Sequence, residues 1–300
     1  MHMITHKLMV NAIIAAHPDL ALAADSTQPE VFHSEAPVYR AAKQACLALG
    51  FIEPDAECLA HAWQAMTERT GPFNASAWPD DPADFGMRPW PRQEAFAACP
   101  HKLGLYAVLP NAVWVARMAR AGVPTVQLRF KSDDTRAIER EVSAAVQAVQ
   151  GTDALLFIND HWQAAIAAGA YGVHLGQEDL ELADLQAIRA AGLRLGLSSH
   201  GYAEMLRADR FSPSYLAMGA VFPTTLKRMM TAPQGTGRLS AYARLMRDCP
   251  LVAIGGIDHS TLPDVLVSGV GSVAVVRALV AAEQPEAMAA SLQAAINAAV

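Results

Sequence analysis

The chain has 300 residues, 52% of them hydrophobic and 17% charged, with a formal net charge of -6 and a pI near 5.9. That length and apolar content exclude a disordered chain and allow a large buried core. The acidic balance excludes a broad attraction for nucleic acid or an anionic membrane, so an anionic ligand must be caught by a few positioned cations and backbone dipoles.

At the N-terminus, Lys7 precedes the apolar run from Leu8 to Ala16, with Ala21 to Ala24 beyond it, in loose imitation of a secretory signal. Asn11 interrupts the run and Asp19 follows it, so the segment reads as a buried strand or helix start. No run reaches the ~20 apolar residues that a bilayer span needs, and the expected location is the cytoplasm. Cys46, Cys58, Cys99 and Cys249 stand far apart without Cys-x-x-Cys spacing, as expected for reduced thiols.

Residues 36–49 and 55–70 carry apolar residues at helical spacing on either side of the helix-start signal Glu53-Pro54-Asp55. Residues 1–70 are therefore expected to form a helical extension. Residues 71–100 are crowded with proline, glycine and turn formers and read as a linker. Beyond it, in residues 101–300, short β-rich runs alternate with alanine-rich helical stretches. The expected strands are 103–109, 125–130, 154–159, 172–175, 194–198, 215–219, 251–254 and 272–276. The helices between and after them are expected at 112–121, 135–149, 161–168, 182–191, 202–208, 238–247, 261–268 and 286–298. Eight βα units fit an α/β fold of the (β/α)8 TIM-barrel type, whose active sites gather at the C-terminal ends of the strands.

Nearly every expected strand end is polar or glycine-rich. Alternation puts Gln127, Arg129 and Lys131 on one side of the chain, where they form either an anion clamp or an ordinary solvated strand end. Asp160 and Asp179 end neighbouring strands, so their carboxylates can approach one ion. Magnesium suits such a pair because it fills its other positions with water and phosphate oxygens; the competing expectation is that each Asp caps a helix. Gly255-Gly256 and Val276-Arg277 follow the seventh and eighth strands, where barrels often bind phosphate through backbone N–H groups. His174 is assigned to the packed interior, His161 and His200 to caps or loops, and none to catalysis.

The ordered motifs QLRFK, IND, GVHLGQED, GLSSH, PTTLK, AIGGI and VAVVRAL resemble the thiamine-phosphate synthase family across residues 103–300. The resemblance implies a magnesium-dependent transferase acting on small phosphorylated substrates, with no nucleic-acid or membrane partner. It would join 4-amino-2-methylpyrimidine-5-methyl diphosphate to a plain or carboxylated hydroxyethylthiazole phosphate by a dissociative substitution. By the same resemblance, Gln127, Leu128, Arg129, Phe130, Lys131, Asn159, Ser198 and Lys227 surround the pyrimidine diphosphate, and Arg129, Lys131, Ser198 and Lys227 are catalytic. Asp160 and Asp179 hold magnesium, while Thr224, Thr225, Leu226, Gly256, Val276 and Arg277 face the thiazole phosphate.

Two positions depart from the family pattern: Leu226 stands where a threonine is common, and Arg277 where a small residue is common. The segments 48–51, 54–56 and 59–63 resemble the last helices of pyrimidine phosphate kinases, but no Gly-x-Gly-Asp loop accompanies them. Residues 1–98 are accordingly expected to be a degenerate remnant or docking appendage, dispensable for chemistry. The alternatives are a thiazole tautomerase-like isomerase and a non-catalytic ligand sensor. Retention of Arg129, Lys131, Asp160 and Asp179 argues against both, and the sequence does not specify whether the chain forms a homo-oligomer.

Overall fold

The computed structural model describes residues 5–23, 31–224 and 231–299. Its strands are β1 (Gly104–Leu109), β2 (Thr125–Leu128), β3 (Leu155–Asn159), β4 (Gly172–Leu175), β5 (Arg194–Ser199), β6 (Tyr215–Met218), β7 (Leu251–Ile254) and β8 (Ser272–Val275). They pair in chain order, all parallel, and β8 returns to β1 to close the barrel. Preceding the barrel are helices α1 (His6–Ala16), α2 (Pro37–Ala48) and α3 (Glu53–Thr70). Around the barrel run α4 (Ala112–Arg120), α5 (Thr135–Ala148), α6 (Trp162–Ala168), α7 (Asp179–Leu182), α8 (Leu185–Ala190) and α9 (Tyr202–Asp209). They continue as α10 (Gly235–Leu245), α11 (Leu262–Leu266), α12 (Arg277–Val280) and α13 (Pro285–Ala298).

Strand parity explains the layering. In a parallel barrel alternate side chains point outward to the helices and inward to the axis. Leu105, Ala107, Val126, Leu128, Val173, Leu175, Leu195 and Leu197 join the large core under the helices, whereas Tyr106, Val108, Phe157, Tyr215, Ala217, Val252 and Ala274 form a separate cluster inside the barrel. Gly196 belongs to the inward set and is empty for a reason: a Cβ there would lie 2.1 Å from the Tyr215 ring.

The expected boundaries differ at two informative places. β2 leaves the ladder after Leu128, although the Arg129 N–H still donates to the Leu109 carbonyl at 2.8 Å. The helix expected over 182–191 starts only at Leu185, after the separate short helix α7, because Ala183 is extended and the Asp184 carboxylate starts α8 by accepting from the N–H groups of Gln186 and Ala187.

The N-terminal helices share one apolar core with the barrel's outer face. The 3-10 turn Pro18–Leu20 packs against α10, and α3 against α9. Arg238 of α10 is buried, lies 3.6 Å over the Phe51 ring and donates to the carbonyls of Leu20 and Leu49 at 3.0 and 2.9 Å. Residues 71–100 have little regular structure, yet they bury Trp78 and Phe96. Trp78 Nε1 donates to the Tyr202 hydroxyl at 2.9 Å, and Arg92 forms a buried ion pair with Asp209 at 2.9 Å. The expectation for residues 1–98 concerned chemistry; this packing concerns stability. A chain beginning near Cys99 would bare Tyr202 and leave Arg238 without its two carbonyl partners, so we expect it to melt below the full chain or to aggregate. Equal melting temperatures would show that the barrel stands alone.

Asp55, on α3, caps the start of α9 by accepting from the Ala203 N–H at 2.8 Å. Burial pushes its carboxyl up to about 6, against the Ala203 hydrogen bond and Arg238, which pull it down. A native value above the ~3.9 of an unfolded aspartate means that its contribution to stability is full below about pH 4 and is lost as pH rises through about 6. Asp55→Asn keeps an oxygen acceptor for Ala203 and removes the charge. Thermal melts should place this variant above the parent near neutral pH, with the gap closing toward pH 4.

Candidate active site at the barrel mouth

A cavity of about 970 Å³ opens at the C-terminal ends of the strands. Of the residues singled out in the sequence, Gln127, Arg129, Lys131, Asn159, Asp160, Asp179, Ser198, Thr224, Gly256, Val276 and Arg277 line it. Leu128 and Phe130 have the opposite parity and do not: Leu128 is fully buried in the outer core and Phe130 packs beside it, its carbonyl 2.9 Å from His161 Nε2. Thr225, Leu226 and Lys227 lie outside the described residues.

The β2 end supplies the positive side. Gln127 is buried and its Nε2 donates to Asn159 Oδ1 at 2.8 Å, which orients the Asn159 amide at the end of β3. Arg129 and Lys131 continue the same face into the cavity, and among the described residues neither forms an ion pair.

The negative side follows at once. Asp160 adopts φ 63°, a left-handed conformation that aspartate tolerates better than most residues. Its own N–H donates to the His174 carbonyl at 3.0 Å, while its carbonyl accepts from the Trp162 N–H at 2.8 Å, so the turn is pinned on both sides. The carboxylate does not cap α6; it faces Asp179. Asp179 is the first residue of α7, and its Oδ2 accepts from the Gly176 N–H at 3.3 Å. Burial, and then the Asp179 charge, raise the Asp160 carboxyl above the usual range, and Lys131 opposes them. Two touching carboxylates, one of them half-buried, are suited to a divalent cation. Among the described residues no group of three or more His, Cys, Asp or Glu could hold a metal. A pair that needs water and phosphate oxygens to complete the shell fits magnesium.

Across the mouth, Gly255 and Gly256 have φ of 106° and 65°. A Cβ on Gly256 would lie 2.6 Å from the Pro223 carbonyl oxygen, so only glycine lets the loop after β7 close against the loop after β6. Arg277 begins α12, whose first N–H groups have no intrahelical acceptors.

The cavity also includes Glu178, Ser199, His200 and Asp258, which sequence reasoning did not select, and His174, which it assigned to the interior. His174 is 7% exposed and belongs to both places. The signal was present in the run Gly172-Val173-His174-Leu175, where Val173 and Leu175 face the helices and leave the histidine pointing to the axis.

A closed parallel barrel with the cations Arg129 and Lys131, an acidic pair and a glycine-lined loop around one mouth defines the class of barrel enzymes that handle phosphorylated small molecules. Comparison with known proteins narrows the class. The family model described as thiamine monophosphate synthase matches residues 106–279, and the chain belongs to that family. A thiamine-phosphate synthase of Neisseria meningitidis serogroup A is 55% identical over 192 residues, which cover 64% of this chain and 94% of the relative. One from Serratia proteamaculans is 51% identical over 197 residues, covering 66% and 93%. The solved structure of thiamine phosphate pyrophosphorylase from Pyrococcus furiosus superposes with a TM-score of 0.59 at 29% identity, over 67% of this chain and 98% of that one. The family match begins after the N-terminal helices.

If Asp160 and Asp179 hold magnesium, Asp160→Ala and Asp179→Ala should each lower turnover about a hundredfold or more and weaken magnesium-dependent binding of the diphosphate substrate. Folding should survive, since both side chains face the cavity. Near-normal rates with unchanged magnesium dependence in both variants would remove the metal assignment.

Proposed function

We propose that the chain is a thiamine-phosphate synthase, which joins 4-amino-2-methylpyrimidine-5-methyl diphosphate to hydroxyethylthiazole phosphate and releases pyrophosphate. The observation that carries this is the meeting of Arg129 and Lys131 with the Asp160–Asp179 pair in one cavity, opposite the Gly255-Gly256 loop and the start of α12. One half suits a diphosphate and the other a monophosphate.

The chemistry needs no protein nucleophile. The bond between the pyrimidine methylene carbon and the diphosphate oxygen breaks, its electron pair leaves with pyrophosphate, and the thiazole nitrogen forms the new C–N bond. The barrel has to stabilise charge growing on the leaving group and hold both partners in line. Arg129 and Lys131 take the leaving oxygens. Gln127 holds Asn159 in the orientation that meets the pyrimidine, and Ser198 contacts the same substrate. Gly256, Val276 and Arg277 receive the thiazole phosphate, with Thr224 at its edge. Lys227, Thr225 and Leu226 join these sets on the family resemblance alone. Asp160 and Asp179 would hold magnesium, which when bound supplies positive charge against the departing diphosphate.

Among the described residues no helix is long and apolar enough to cross a membrane. Action in the cytoplasm on small phosphorylated molecules agrees with that and with the absence of any strong positive balance in the chain.

The deciding experiment supplies both substrates and magnesium and scores thiamine phosphate and pyrophosphate together. Equal amounts of the two products are expected. Conversion of the thiazole without pyrophosphate release would turn the assignment to an isomerase, and tight binding of either substrate with no turnover would turn it to a sensor.

A further inference from the structure

A continuous line of hydrogen bonds crosses the barrel from its interior to the cavity. The Tyr106 and Tyr215 hydroxyls are 2.7 Å apart, the Tyr215 hydroxyl is 2.8 Å from His174 Nδ1, and His174 Nε2 is 2.8 Å from Ser198 Oγ. Tyr106 and Tyr215 are each 1% exposed. Burial pushes both phenols above their ordinary range, so each keeps its proton. The line depends on the strand register: His174 of β4 lies beside Gly196 of β5, and Gly196 beside Tyr215 of β6. With no side chain at Gly196, the Tyr215 ring crosses that strand and reaches the imidazole.

Counting protons gives the line a direction. Each hydroxyl donates once, and a neutral imidazole carries one N–H. Among the described residues Tyr215 is the one hydrogen-bond partner of the Tyr106 hydroxyl. If Ser198 donated to His174, and His174 Nδ1–H to Tyr215, then Tyr215 would have to donate to Tyr106. The Tyr106 proton would be buried with no acceptor, a heavier penalty than any single bond in the line returns. A doubly protonated imidazole strands the same proton. In the opposite direction every buried donor is used: Tyr106 donates to Tyr215, Tyr215 to Nδ1, and Nε2–H to Ser198 Oγ.

We propose that the Tyr106–Tyr215 pair locks His174 in its Nε2–H tautomer, so that Ser198 accepts from His174 and turns its own hydroxyl proton toward the substrate. His174 is then a positioning residue, acting through Ser198. Gln177 secures the same point from the backbone side, its Nε2 donating to the Ser198 carbonyl at 2.7 Å. With its one proton not spent on the imidazole, Ser198 donates to a hydrogen-bond acceptor, a ring nitrogen or phosphate oxygen of the pyrimidine diphosphate, which rests on the proposed synthase activity. The device would favour an acceptor at that point over a donor, because two facing donors leave one unpaired.

Two measurements test the proposal. Nitrogen-15 NMR of the full chain, labelled at histidine and free of ligand, should show His174 with a protonated Nε2 and an unprotonated, hydrogen-bonded Nδ1. A protonated Nδ1 overturns the proposal, whether or not the chain turns over substrate, so this outcome is separate from failure of the synthase assignment. In steady-state kinetics Tyr215→Phe should lower kcat/KM for the pyrimidine diphosphate about tenfold, the scale of one misdirected hydrogen bond. In a Ser198→Ala background the same substitution should add little, since the group it acts through is gone. Equal losses in both backgrounds would mean that Tyr215 supports the barrel without directing Ser198, and would overturn the relay. Should Tyr215→Phe fail to fold, the tautomer of the unmodified chain still decides.

Discussion

Closing eight parallel strands into a ring sorts every strand's side chains by parity, and the rest of this molecule follows from that sorting. Outward residues such as Val173 and Leu175 must be apolar, because helices cover them. Inward residues have two different duties that depend on height along the axis. Low in the barrel, Tyr106, Phe157 and Tyr215 fill the interior and exclude water. One step nearer the C-terminal edge, Gln127, Asn159, His174 and Ser198 line the cavity and can be polar because they face it. A plug below and a polar rim above are two layers of one inward set.

The rim is left electrostatically incomplete. Arg129 and Lys131 line the same cavity as the Asp160–Asp179 pair, among the described residues neither forms an ion pair, and Asp160 sits in a left-handed conformation with its carboxyl raised. Stability alone would favour neutral residues or direct charge pairing there. Charges kept apart at the mouth of the barrel are suited to a ligand that brings both a cation and phosphate oxygens, because such a ligand satisfies both sides at once.

The N-terminal part adds a support that the barrel family does not by itself require. Asp55 caps α9, which follows the Ser198-bearing strand, and the carbonyls of Leu20 and Leu49 hold Arg238 on α10. Both contacts fall at the starts of helices whose preceding loops border the cavity. The extension therefore bears on the side of the mouth that follows β5 and β6.

The eight strands were legible from the sequence because burial on the outer face leaves an apolar run at each one, and strand ends were legible because a polar pair or glycine interrupts that run. Parity within Gln127-Leu128-Arg129-Phe130-Lys131 already separated the cavity set from the core set, although the family resemblance had drawn Leu128 and Phe130 into the site. Local sequence did not decide what lies on the far side of each residue. The contact of Asp160 with Asp179 needs two strands in register, and the line from Tyr106 to Ser198 joins four strands through the empty place at Gly196. Likewise, residues 71–100 have the composition of a linker, yet Trp78 and Arg92 find buried partners on α9. Periodicity and turn chemistry are short-range and can be read along the chain, whereas hydrogen-bond partners and charge environments depend on residues brought together only by closure of the barrel, and only the tertiary structure decides those.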